Sequence, residues 1–261
     1  MEPPAPSRGV WSDLRAFFWR RPALPTRIRF QSRAEHQAYS ERILQRLGTP
    51  VRDYAVLNIH RIGIDAPIRY VFELLLDWNG DSTCWPNHLA RVERVEGRVE
   101  HIRIFALGRQ RPAQGGRRGL FGLTSWPLFH LNALRIQRDP GPAEVDNARY
   151  LLFRCRGGYP IGVFAMYARS SIPEQLEREA TQLFMVVSFD FFGRNRWPAL
   201  LAPVRALWTI IHDRVTANVL NRFKRLCEWR FLKLQEDLSR TLGPGLPEAG
   251  QVTPPPPGPD R

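Results

Sequence analysis

The 261-residue sequence predicts an α+β fold, a curved antiparallel sheet closed by one long C-terminal helix. Three observations carry that expectation. Segments rich in β-branched and aromatic residues recur from about residue 54 to residue 191. Glycine-containing or polar turns separate them, as an antiparallel meander requires. After Trp197 the apolar period changes to three or four residues and persists to about Arg240.

The chain begins with a Pro-rich stretch, Met1 to Gly9, followed by a candidate helix containing Trp11, Phe17, Phe18 and Trp19. Ser12 or Asp13 is placed to cap it, and Pro22 ends it. A second helix is expected over Arg33 to Leu47, where Tyr39, Ile43, Leu44 and Leu47 recur at helical spacing before Gly48-Thr49-Pro50. Residues 1–50 therefore read as a helical arm packed on a main domain of residues 51–240.

In that domain Ala55, Leu57, Ile59 and Arg61 alternate with Tyr54, Val56, Asn58 and His60, the period of a strand. Asp65-Ala66-Pro67-Ile68 then supplies a cap and an early proline. Ile68, Val71, Phe72, Leu75 and Leu76 form the apolar face of the helix that follows, and Trp78 to Trp85 makes a turn.

Further strands are expected at Ala90–Glu96, Glu100–Leu107, Phe129–Gln137, Arg149–Arg156, Val163–Ile172 and Thr181–Phe191. Between them, Gly108 to Gly119 reads as a basic loop carrying Arg109, Arg111, Arg117 and Arg118. On the last helix Val204, Trp208, Ile211, Val215, Val219, Phe223 and Leu226 form one apolar face, with Pro203 near its start. Residues 241–261, with the run Pro254 to Pro257, read as a disordered Pro-rich tail.

Composition narrows the function classes. The formal charge is +13, which directs attention to anionic partners, yet 36 of the 38 basic residues are scattered arginines, a pattern that compositional bias also produces. No recognition motif accompanies them, so nucleic acid is an unlikely partner. Cys84, Cys155 and Cys227 are too far apart and too few for a disulfide framework or zinc knuckle. The absence of a spanning apolar run and of a signal-peptide core points to a cytoplasmic protein.

The order of strand, helix after an Ala-Pro pair, Trp-containing turn, meander and final helix resembles the START-like (SRPBCC) helix-grip superfamily, which includes polyketide cyclases and aromatases. Ile64-Asp65-Ala66-Pro67, Val71-Phe72, Asp77-Trp78, Trp85-Pro86 and Val92-Glu93-Arg94-Val95 carry the resemblance, over about residues 54–240. It implies an internal cavity for a lipid, polyketide, isoprenoid or other apolar small molecule. Many members of that superfamily bind or carry without chemistry.

Expected ligand-binding residues are Trp85, His88, Arg91, Trp208, Ile211 and Val215. His88 is also the one catalytic candidate, since an imidazole at the cavity mouth can exchange a proton near neutral pH; alternatively it is a turn histidine satisfying backbone groups. His101 should share a solvated strand face with Arg103. His212, Asp213 and Arg214 are consecutive on a helix, so they point apart and read as a polar edge. Arg91 and Arg94 suit an anionic head group or simple solvation. Asp190 marks a strand's exposed end or needs an arginine partner.

No paired histidines, Cys/His cluster, GxSxG elbow or P-loop is present, so neither a metal nor another cofactor is expected. Binding or transport of an apolar ligand is the leading expectation. A cyclase or aromatase-type enzyme is the alternative. A third reading docks the aromatic arm, with its arginines, on an anionic membrane surface, making the protein peripheral to a membrane.

Overall fold

The computed structural model describes residues 1–6, 9–46, 56–78, 82–106, 126–138, 148–156, 161–171, 180–189 and 202–242. Asp190, the 108–119 loop, the turns at 141, 157–158 and 173–179, the helix start at Trp197 and the tail from Gly243 lie outside these residues.

Seven strands form one antiparallel sheet: β1 (Val56–Ile64), β2 (Ala90–Val95), β3 (Arg98–Ala106), β4 (Trp126–Gln137), β5 (Arg149–Arg156), β6 (Ile161–Ser171) and β7 (Ala180–Phe189). Their order is β1-β7-β6-β5-β4-β3-β2, so the first two strands lie on opposite edges and the sheet is not closed into a barrel. Helix α3 (Ile68–Leu76) connects those edges, and the long helix α4 (Ala202–Leu242) packs on the same face of the sheet. This is the helix-grip arrangement that the element order implies.

Register explains the two-sided burial. Cross-strand partners share a face, and Val187, Phe164 and Phe153 form one continuous inner row while Met185, Met166 and Leu151 form the next. The alternating residues Tyr150, Leu152, Ala165, Tyr167, Phe184 and Val186 form the opposite face, where Ile28, Phe30, Tyr39 and Ile43 of the arm cover them. Helix α2 (Arg33–Arg46) supplies Tyr39 and Ile43 to that cover.

The arm also caps the β1 edge, which would otherwise present unpaired backbone groups. Ile28 N–H donates to the Ile59 carbonyl (3.0 Å), and Arg61 N–H donates to the Thr26 carbonyl (2.7 Å). On β1 the polar residues Asn58 and His60 share the inner face with Ile62 and Ile64, whereas Ile59 points to the arm.

Two local expectations are corrected. Helix α1 (Val10–Asp13) starts after Gly9, without a side-chain cap, and widens directly into a π-helical turn over Leu14–Trp19. Asp13 is instead fully buried, because its carboxylate is used elsewhere. Helix α3 likewise lacks an Asp65 cap; Pro67 precedes it and no side chain bonds its first amides. Its other end is finished by Arg94, which donates to the Leu76 and Trp78 carbonyls and so places positive charge at the helix C-terminus.

Among the described residues no helix is long and apolar enough to cross a membrane. Among them, too, no group of three or more His, Cys, Asp or Glu is placed to hold a metal ion.

Candidate functional site

A cavity of about 340 Å³ separates the inner face of the sheet from the first half of α4. Its sheet wall is Ile104, Leu131, Phe164, Met185 and Val187, drawn from the four strands β3, β4, β6 and β7. The opposite wall is one stripe of α4: Trp208, Ile211, His212, Val215, Thr216 and Val219 recur at helical spacing. Farther along, Leu220, Phe223 and Cys227 are buried in the closed core.

The turn between α3 and β2 forms the third wall, with Trp78, Trp85, Pro86, Leu89 and Ala90. Trp78 and Trp85 meet edge to face at 5.4 Å, and the Trp85 indole N–H donates to the Ala90 carbonyl. Backbone bonds from Asn87 to Trp85 and from Leu89 and Ala90 to Pro86 tighten the turn. Asp13 then pins it from the arm: the His88 backbone N–H donates to Asp13 Oδ2 at 3.0 Å.

Phe18 closes the remaining side. Its position follows from the π turn, in which Arg20 N–H reaches back to the Arg15 carbonyl (2.8 Å). Asn218 of α4 donates to the Phe17 and Arg20 carbonyls, each at 3.0 Å. Phe17 is fully buried, with the Arg222 guanidinium 5.2 Å from its ring centroid. Once α4 grips the turn in this way, Phe18 is directed over the cavity.

The cavity lining thus includes four of the residues expected from sequence, Trp85, Trp208, Ile211 and Val215. His88 and Arg91 are not among the described lining residues. Arg91 is mostly buried and pairs with Glu93 at 2.8 Å. His212, expected on a polar helix edge, instead stands in the wall, its ring 4.9 Å from that of Trp208.

Burial lowers the His212 pKa to about 4; the neighbouring Asp213 carboxylate opposes that shift and nearby His60 adds to it. His212 is therefore a neutral imidazole at neutral pH. No Arg, Lys, Asp or Glu is among the described lining residues. Cys227 is chemically quiet for a related reason, since burial raises its thiol pKa.

Comparison with known proteins gives no family. No family model matches the chain, and no curated protein matches it. Among solved structures, an aromatase/cyclase from Streptomyces sp. R1128 is 16% identical, covering 72% of this chain and 98% of its own, with a TM-score of 0.39. A START superfamily protein from Mycobacterium smegmatis is 12% identical, covering 68% of this chain and 98% of its own, at a TM-score of 0.31. A norcoclaurine synthase from Thalictrum flavum is 10% identical, covering 63% and 94%, at 0.32. The fold rests on the chain's own strand order, and the reading of the site on its own geometry.

Proposed function

We propose that the protein binds an apolar small molecule, such as a lipid, polyketide or isoprenoid, between the sheet and α4. The supporting observation is the cavity itself: its described walls are overwhelmingly hydrocarbon and aromatic, with no charged side chain. Such a space favours apolar surface leaving water by about 25 cal/mol per Å². On this reading residues 51–240 are the binding domain, and the arm of residues 1–50 completes it by contributing Phe18. Native mass spectrometry of the purified chain should show a co-purifying small molecule, or uptake from a panel of apolar compounds. A chain that carries none and takes up none would overturn the proposal.

A second reading, a cyclase or aromatase-type enzyme acting on a polyketide-like substrate, is favoured by one observation. His212 places an unprotonated imidazole in the cavity wall, a proton acceptor although a weak base at a pKa of about 4. On that reading His212, rather than His88, touches the substrate. Turnover that survives His212→Gln unchanged would remove this role.

The arm also offers a means of location. Trp11 and Trp19 are 79% and 68% exposed, with Arg15, Arg20 and Arg21 close in sequence. Exposed indoles flanked by cations suit an anionic membrane surface.

A further inference from the structure

Resting on the reading of the cavity as a ligand site, we propose that its occupant is an uncharged apolar molecule bearing one hydrogen-bonding oxygen, and that His212 holds that oxygen.

The walls differ in chemistry. Among the described lining residues the sheet contributes only hydrocarbon, aromatic and thioether side chains, Phe164, Met185 and Val187 among them. Hydrogen-bonding capacity is concentrated on α4, where His212 and Thr216 lie one turn apart on the cavity face. A bound molecule consequently lies with its apolar body on the sheet and its polar atom toward α4.

The charge of the ligand follows from what the cavity lacks. A carboxylate or phosphate placed there would lose its hydration shell and meet no cation among the described lining residues. His212 cannot supply the charge near neutral pH, because its imidazole stays unprotonated down to about 4. A neutral imidazole carries one N–H and one lone-pair nitrogen, and a hydroxyl can pair with whichever of them faces the cavity.

An independent observation marks the same end of the cavity as polar. Asn58 is 3% exposed, and neither atom of its amide has a hydrogen-bond partner among the described residues. It pairs across the sheet with Val187 and therefore shares the cavity-facing side, immediately beyond the wall. His60, two residues along on that face, is close enough to His212 to influence its pKa. A buried amide without a partner in the described structure makes that end of the wall more polar than the rest.

Three matched probes test the inference by equilibrium dialysis at pH 7: naphthalene, 2-naphthol and 2-naphthoate. The expected order is 2-naphthol tightest, by about tenfold over naphthalene, with the anionic 2-naphthoate weakest. His212→Phe should bring the naphthol-to-naphthalene ratio to about one, whereas His212→Gln, which keeps donor and acceptor, should preserve the preference. Circular dichroism melting confirms that each variant is folded, and if His212→Phe does not fold, His212→Leu reports the same loss of preference. Naphthoate binding tightest, equal binding of naphthol and naphthalene, or an unchanged ratio in a folded His212→Phe protein overturns the inference while leaving the cavity as a ligand site. Binding of none of the three defeats the cavity reading itself, and the inference with it.

Discussion

His60 of β1 and Asp213 of α4 approach to 3.3 Å, the imidazole Nε2 facing carboxylate Oδ1. The contact is close enough for a charge interaction, although it lacks hydrogen-bond geometry. Around it, Thr26 Oγ1 lies 3.0 Å from His60 Nδ1, and Arg27 pairs with the other oxygen of Asp213. Three segments that are remote in sequence, the arm, the first strand and the last helix, are thereby joined at one carboxylate.

Asp213→Asn should loosen that junction more than it harms the core. Arg27 is half exposed and can return to water, so the loss is modest, about 1 kcal/mol by urea denaturation. The arm should respond more visibly, with faster tryptic cleavage at Arg20, Arg27 and Arg29. Unchanged cleavage and an unchanged midpoint would show that the junction does not hold the arm.

His212 gives a pH dependence whose sign can be worked out. Its folded pKa of about 4 lies below the ordinary 6.5, so between those values the unfolded chain binds the extra proton. Stability contributed by the neutral imidazole is present above pH 6.5 and is lost as pH falls toward 4, by about 3 kcal/mol at most. His212→Gln should flatten the fall in melting temperature between pH 7 and pH 5. Parallel profiles for the two proteins would contradict it.

Filling the cavity should separate binding from folding. Val187 faces open space on a strand held on both sides, so Val187→Phe can place its ring in existing volume. Uptake of apolar probes should be lost with no fall in melting temperature. Phe153→Ala is the contrasting change, because Phe153 is fully buried in the same inner row and its loss should cost about 3–5 kcal/mol. A Val187→Phe protein that binds as before would place the ligand elsewhere.

These residues also show what could be read in the amino-acid order. Trp208, Ile211 and Val215 were legible because helical spacing alone puts them on one face. His212 was not, because a helix face that covers a cavity is wider than a single stripe and takes in the neighbour of Ile211. The sheet wall required the register of strands distant in sequence. Phe18 required the π turn and its capture by Asn218, 201 residues away. On β1, alternation was visible, but which side faced the core was hidden by the arm, which makes an interior of both faces.

The turn carrying His88 illustrates the same limit and yields a prediction. Its shape is set by Asp13, 75 residues earlier, acting on a backbone N–H, so the imidazole itself is not what anchors it. His88→Ala should leave probe binding unchanged. Asp13→Ala should cost about 1–2 kcal/mol, because the half-buried His88 amide loses its acceptor. The reverse pattern, with His88→Ala abolishing binding, would return His88 to the site.

Whether the arm docks on a membrane needs a substitution rather than a deletion. Removing residues 1–30 would also remove Phe17 from the core, Phe18 from the cavity and the cover of the β1 edge. Trp11 and Trp19 are exposed, and Trp11→Ser with Trp19→Ser should leave the fold intact. Binding to vesicles rich in phosphatidylglycerol should fall in that double variant and weaken as salt rises, because each nearby arginine contributes about 1 kcal/mol only within a screening length of the surface. Equal binding to phosphatidylcholine vesicles would remove the arginines from the account, and equal binding by the double variant would remove the indoles.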